Sequence, residues 1–275
     1  MWAGRAGRAG LVAAGLVAGL TLNASVITPR RFRVRDHDLV LPGWPAELDG
    51  LKVVVVGDVH AGAPFVDLAR VRFVAAQVAA LRPDLVLLVG DHVADVMFGT
   101  DLDPADVAEA LTGVTANGVE AVGVLGNHDW YAGGHQIRAA FEKAGLPVLE
   151  EQAVPVLDGR LWVAGVGDLW ERNPSMSAAL AEVPAGAPTI VLTHNPDAIV
   201  DVPASVALVV AGHTHGGQVG LLGKQVHQVS ERSGNRWLRG WYPDVRLYVT
   251  GGVGSSLLPL RTVVPEIALL RLSSV

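Results

Sequence analysis

Short apolar runs rich in Val and Leu recur along this chain, and five of them break into a polar motif that carries aspartate, asparagine or histidine. Lys52 to Val56 leads into Gly57-Asp58-Val59-His60, Leu85 to Val89 into Gly90-Asp91, and Val119 to Leu125 into Gly126-Asn127-His128-Asp129. Thr189 to Thr193 leads into His194, and Val206 to Ala211 into Gly212-His213-Thr214-His215. Runs of this length and composition predict buried strands. Between the first two, Leu68, Val71, Val74, Ala75, Val78 and Leu81 recur at helical spacing and Pro83 closes the helix. Strand, helix, strand in that order is a βαβ unit, whose right-handed crossover makes the first two motifs neighbours. Asp103-Pro104 predicts a helix start with Gly113 as its stop, and a further helix spans about His135 to Ala144, stopped by Gly145. Leu161 to Val166 reads as another strand, ending at Gly167-Asp168. Beyond Gly217 the pattern turns to short alternating strands, Arg246 to Thr250 and Ile267 to Leu272, which predicts a second, antiparallel-rich sheet. The class is α/β, with no repeat of fixed period.

A side chain at the carboxyl end of a strand faces the crevice where open α/β sheets bind ligands, so five such ends can converge on one point. Divalent ions in a hydrolytic pair take hard carboxylate oxygens and imidazole nitrogens, with one carboxylate shared between them. On an extended segment Asp58 and His60 face the same side and can grip one ion, and His213-Thr214-His215 likewise puts two imidazoles on one side, a spacing common in metal sites. Asn127 offers a neutral amide oxygen, and His128 beside it can point toward substrate. Taken singly these motifs are weak, because Asn, Asp and Gly are ordinary turn residues. Their joint occurrence at five strand ends makes the chain a two-metal hydrolase candidate.

Arg5 and Arg8 precede a stretch from Ala9 to Pro29 that has no charged side chain. Roughly 20 such residues cross a bilayer as a helix. A retained anchor is the favoured reading, and a cleaved signal peptide competes with it, although Val17-Ala18-Gly19 is a mediocre cleavage site. Arg5 and Arg8 are answered by Arg30, Arg31, Arg33 and Arg35, so charge asymmetry does not set the orientation. The basic start before an apolar core favours a catalytic domain outside the cytoplasm. Residues 1–28 are thus expected as signal-anchor or transmembrane segment, 29–50 as linker with a first strand, and 51–275 as the catalytic domain. Pro29 to Pro42 would act as a tether that extends about 40 Å.

Composition sharpens this picture in two places. Only 17% of the 275 residues are charged, against about 25% in an ordinary soluble domain, which fits a segment that meets lipid. The formal net charge of -6 argues against a dedicated nucleic-acid binder, which needs a basic face, while small phosphorylated substrates stay open because bound cations supply local positive charge. There is no cysteine, so disulfides, thiolate metal sites and cysteine nucleophiles are excluded. Arg greatly outnumbers Lys and Ala, Gly and Val abound, as in coding from a GC-rich bacterial genome.

The motif series resembles the calcineurin-like metallophosphoesterase superfamily. Gly212-His213-Thr214-His215-Gly216-Gly217-Gln218, with Leu258-Pro259-Leu260-Arg261 and Pro265-Glu266-Ile267, resembles its bacterial membrane-associated phosphodiesterase branch, from about Leu41 to the C-terminus. The resemblance implies a four-layer αββα sandwich of two mixed sheets with a dinuclear site at strand ends. It implies that Asp58, His60 and His215 hold one ion, that Asn127, His194 and His213 hold the other, and that Asp91 bridges them. The ions would be Mn, Fe or Zn, and two ions about 3.5 to 4 Å apart can hold a hydroxide and neutralise the transition state. His128 would contact the scissile phosphate and assist the leaving oxygen, with Asp129 orienting it. The expected substrate is a phosphodiester or pyrophosphate on a lipid or envelope polymer. Alternatives are a broad-specificity phosphatase or nuclease of the same superfamily, or a catalytically dead membrane scaffold.

Two positions depart from the superfamily pattern. His92 stands where an aromatic or aliphatic residue is usual, and is expected to be packed and hydrogen-bonded. Gly251 stands where Arg is common, which implies one fewer phosphate contact. Asp168 matches an acidic position of the branch, or caps a helix near Pro174. His37, His135 and His227 match no motif and are expected on the surface or in loops.

Overall fold

The computed structural model describes residues 2–221, 224–225, 232–234 and 236–275, so His227 lies outside the described residues. Helix α1 (Trp2–Leu22) runs through a π-helical turn, Asn23–Ile27, into α2 (Thr28–Arg30). Pro29 has no N–H to give the carbonyl four residues back, which loosens that turn. Thr28 and Pro29 are buried, and the Arg261 N–H donates to the Ala24 carbonyl at 2.8 Å. The stretch expected as a free tether is therefore docked onto the domain, and it continues directly into β1 (Arg33–Val40).

Next come β2 (Leu51–Val56), α3 (Leu68–Leu81), β3 (Leu85–Leu88), α4 (Pro104–Leu111), β4 (Glu120–Gly123), α5 (Asn127–Tyr131) and α6 (Gly134–Lys143). They are followed by β5 (Gln152–Val156), β6 (Leu161–Val166), α7 (Met176–Ala179), β7 (Thr189–Thr193) and β8 (Leu208–Ala211). A two-residue ladder pairs β9 (Gly220–Leu221) with β10 (Lys224–Gln225), before β11 (Gly240–Tyr242), β12 (Leu247–Val249) and β13 (Glu266–Ser273). Asp103 caps α4 by accepting from the Ala105 N–H, as its sequence position predicts, but α4 ends at Leu111 and a 3-10 turn carries the chain past Gly113.

One sheet has the order β1-β13-β2-β3-β4 and the other β11-β12-β8-β7-β6-β5. Both are mixed: β2, β3 and β4 run parallel, as do β6, β7, β8 and β12, with antiparallel joins at β13–β2, β11–β12 and β5–β6. The expectation of an antiparallel-rich sheet beyond Gly217 fails. β12 adds in parallel to β8, and β13 returns to the first sheet between β1 and β2.

Alternation along the strands builds the layers. Val54 and Val56 of β2 face α3, α4 and α6, with Val71, Val74, Leu111 and Phe141 in one core. Val53 and Val55 face the other way and meet Val163, Ile190, Leu192 and Val210 between the sheets. Val191, Val209 and Val249 face α7 on the far side. Burial on both faces explains why these strands read as continuous apolar runs. The result is the expected four-layer α/β architecture, in which β2, β3, β4, β7 and β8 open their carboxyl ends at one place.

Candidate metal centre

At that place β2 delivers Asp58 and His60, β3 delivers Asp91, β4 delivers Asn127, β7 delivers His194 and β8 delivers His213 and His215. All seven side chains are at most 6% exposed. His60 Nε2 lies 3.4 Å from Asp91 Oδ2 and 3.1 Å from His215 Nε2, which is 3.5 Å from Asp58 Oδ1. On the other side His194 Nε2 lies 3.2 Å from the same Asp91 oxygen and 3.2 Å from His213 Nδ1, which is 3.1 Å from Asn127 Oδ1. A single carboxylate oxygen thus stands between two donor sets.

The donors fit divalent ions. They are nitrogen and oxygen atoms without sulfur, the choice of borderline and hard cations. Asp58 Oδ2 is buried and accepts no hydrogen bond among the described residues. Such an oxygen is costly to bury unless a cation answers it. Glycine lets the loops close around the donors: a Cβ on Gly126 would fall 2.3 Å from Asp91 Oδ1, and one on Gly90, at φ +89°, would fall 2.5 Å from the Gly126 nitrogen.

Electrostatics point the same way. Burial pushes Asp58 up to about 7 and His60 down to about 3, and it takes His215 well below its ordinary range, with His60 adding to the effect. Burial also works against charge on Asp91, but His194 and then His60 outweigh it and hold Asp91 well below the usual carboxylate range. His194 is pushed up to about 10, because Asp91 beside it overcomes the opposing effect of burial. The Asp91 carboxylate therefore demands a positive charge at this point, a demand that a divalent cation meets directly.

Ring orientation is set from behind. His194 Nδ1 contacts the Val89 carbonyl at 2.7 Å and His215 Nδ1 contacts the Gly254 carbonyl at 3.2 Å, which directs each Nε2 inward. His128 is half-buried, its backbone N–H donates to Asp91 Oδ1 at 2.9 Å, and its Nδ1 meets the Asp95 carbonyl at 3.0 Å. With Asp91, Asn127, His213 and His215 it lines a cavity of 490 Å³.

The backbone corrects one expectation. Asp58 and His60 sit at φ 48°, and His213 and His215 at φ 70° and 51°, so neither pair is extended. The side chains converge through left-handed turns instead of a pleat. Each such non-glycine residue costs of order 1–3 kcal/mol, a strain that clusters at functional sites.

A family profile described as calcineurin-like phosphoesterase matches residues 51–217, the span that carries all of these donors. The chain belongs to that family. It is a metal-dependent phosphoric ester hydrolase by membership, and its buried Asp58, His60, Asp91 and His215 cluster agrees. It is similar to phosphodiesterase YaeI of Escherichia coli, with 32% identity over 80% of this chain and 82% of that one. Similarity to the metallophosphoesterase YkuE of Bacillus subtilis is 28% over 91% of this chain and 89% of that one. A Danio rerio transmembrane protein with a metallophosphoesterase domain is 26% identical over 83% of this chain and 54% of its own length.

Other family positions fall differently from expectation. Asp129 does not orient His128: it accepts from the backbone N–H groups of His92, Val93 and Gly126, and so ties the Asp91 loop to the Asn127 loop. His92 is packed as expected, 1% exposed, against Phe141 and the Val124 carbonyl. Gly251 lies outside the cavity lining and donates to Glu266. Asp168 caps the Trp170-Glu171 turn, whereas Ser175 caps α7. His135 is exposed on α6, but His37 is half-buried on β1 against Tyr248.

Arg261 escaped assignment from sequence although its motif stood out. Fully buried, it donates to the carbonyls of Gly254, Gly251, His215 and Val263. Glu266 is buried too, and accepts from Arg33 and Arg35 of β1. Neither residue touches the cavity, so strand-end logic could not reach them.

Proposed function

We propose that the chain is a phosphodiesterase using two divalent ions, Mn, Fe or Zn, anchored in a bacterial membrane by α1 and acting on a phosphodiester or pyrophosphate carried by a lipid or envelope polymer. Asp58, His60 and His215 would hold one ion, Asn127, His194 and His213 the other, and Asp91 both. The carrying observation is Asp91 Oδ2, within 3.4 Å of His60 on one side and 3.2 Å of His194 on the other. Ions held there would supply a nucleophile at neutral pH and would neutralise charge that builds on the phosphoryl oxygens. His128, oriented through Nδ1 by the Asp95 carbonyl, presents Nε2 to the phosphoryl group and gives a proton to the leaving oxygen. Asp129 keeps the two loops in register.

The membrane part of the reading is supported by the helix Leu11–Arg30, with mean hydropathy 1.8 and most of its length unburied. On this reading the catalytic domain lies outside the cytoplasm, a side favoured by the basic Arg5 and Arg8 before the apolar stretch. Chelation should abolish hydrolysis of bis(4-nitrophenyl) phosphate and Mn, Fe or Zn should restore it; turnover that survives chelation would refute the reading. Full-length protein should stay with membranes in high salt, which screens only charge. Recovery of Met1-intact protein in the soluble fraction would defeat the anchor, and a shortened soluble form would establish cleavage.

A further inference from the structure

The cavity at the metal centre has two unlike walls. One carries the donors and His128, while the other is built from Val219, Leu257, Leu258 and Leu260. Among the described residues that line it there is no Lys or Arg that would meet a second phosphate. Leu257 and Leu258 are 57% and 43% exposed at its rim, and Leu257 is held at φ 55°, a left-handed conformation unusual for leucine. Exposed leucines in a strained backbone at the mouth of a catalytic cavity mark a contact surface.

Two fastenings fix this wall. On the donor side Gln218 clamps Ser256, giving its amide hydrogen to the Ser256 carbonyl at 2.8 Å and accepting from the Ser256 N–H at 2.9 Å. On the other side, three residues beyond Leu258, the Arg261 N–H binds the Ala24 carbonyl at the end of the apolar helix. The wall therefore stands between the metal donors and the helix suited to a bilayer.

We propose that this wall is a subsite for the hydrocarbon chain of a membrane lipid, and that the substrate is a phosphodiester, not a pyrophosphate, whose chain lies along Leu257, Leu258, Leu260 and Val219. The inference rests on the phosphodiesterase reading above. It narrows that reading to a lipid with one phosphoryl group at the scission point. Water attacks phosphorus, the P–O bond to one substituent breaks, and the leaving oxygen takes the proton; the chain-bearing substituent stays against the leucines.

The test uses full-length enzyme in a non-ionic detergent and 4-nitrophenyl alkyl phosphates from methyl to octyl, each below its critical micelle concentration. The expected kcat/KM rises about three- to fourfold per methylene until the wall is covered. Leu257→Asn with Leu258→Asn should flatten that slope, and an octyl pyrophosphate analogue should turn over more slowly than the octyl diester. A flat series in the wild type, an unchanged slope in the variant, or faster turnover of the pyrophosphate or of a glycan-polymer diester would overturn the lipid subsite. Absence of chelator-sensitive turnover even of the methyl ester would instead remove the phosphodiesterase reading beneath it.

Discussion

The two donor sets around Asp91 are built alike but supported differently. Asn127, His194 and His213 are steadied by neighbouring strand ends, with His194 fixed by Val89 and the Asn127 loop fixed by Asp129. Asp58, His60 and His215 lean on the far end of the chain. His215 is fixed by the Gly254 carbonyl, and Arg261 grips the Gly254 and His215 carbonyls while its own N–H reaches Ala24. The first arrangement lies within the matched span 51–217, whereas the second depends on residues outside it at both ends. The first set is thus supported from within the matched span, and the second is linked through Arg261 to the N-terminal helix.

Losing the shared oxygen should erase the distinction. Asp91→Ala is expected to lose both ions and bring turnover to background; metal analysis that still finds two tightly held ions would refute the bridge. His128→Ala should leave both sets loaded and cost about 10²- to 10⁴-fold in turnover, less for a good leaving group than for a poor one. Equal losses across leaving groups would remove the proton-donor role.

Smaller perturbations should separate the halves. Arg261→Met should weaken one ion by about 10- to 100-fold and leave the other near its wild-type affinity, the usual range for a group that orients a ligand. Titration with a chelator series reads this directly, and parallel loss of both ions would show that the halves are not independent. Deleting residues 1–31 removes the backbone hydrogen bond to Arg261, together with the buried Thr28 and Pro29, the Arg31 carbonyl that accepts from Arg70 and the Arg30 guanidinium over Phe65. About 1 kcal/mol, or about fivefold, is expected in the affinity of the same ion. No change in that affinity would mean that the helix carries the domain without touching its chemistry.

The same division governs what was legible in the sequence. The donors announced themselves because each follows an apolar run, and α3 because its valines recur at helical spacing. The turn geometry at Asp58, His60, His213 and His215 did not, since a left-handed residue leaves no mark in a polar-apolar pattern unless it is glycine. β1 falls where a first strand was expected in residues 29–50, but its charged residues Arg33, Arg35, Asp36 and Asp38 gave no sign of its bounds or of its partner β13, which begins at Glu266 at the other end of the chain. β5 contains Pro155 and lies at a sheet edge, where proline is tolerated but the strand signal is lost. The Asp129 role was misread because adjacency to His128 in sequence is not adjacency of side chains in a short helix.

The docked segment that follows α1 has a mechanical meaning. At 1.5 Å per residue, the helix Leu11–Arg30 is about 30 Å long, close to the hydrocarbon thickness of an average bilayer. A bilayer thinner than that tilts such a helix and a thicker one draws it upright. If the helix spans a bilayer as proposed, the hydrogen bond from Arg261 to Ala24 and the buried Thr28 and Pro29 would pass that rotation to the domain, so the angle at which the leucine rim meets the lipid headgroups would follow the lean of the helix. For the enzyme proposed here, the chain length of the surrounding lipids becomes a control on the rate, exerted through tilt on a protein whose contacts with substrate are unchanged.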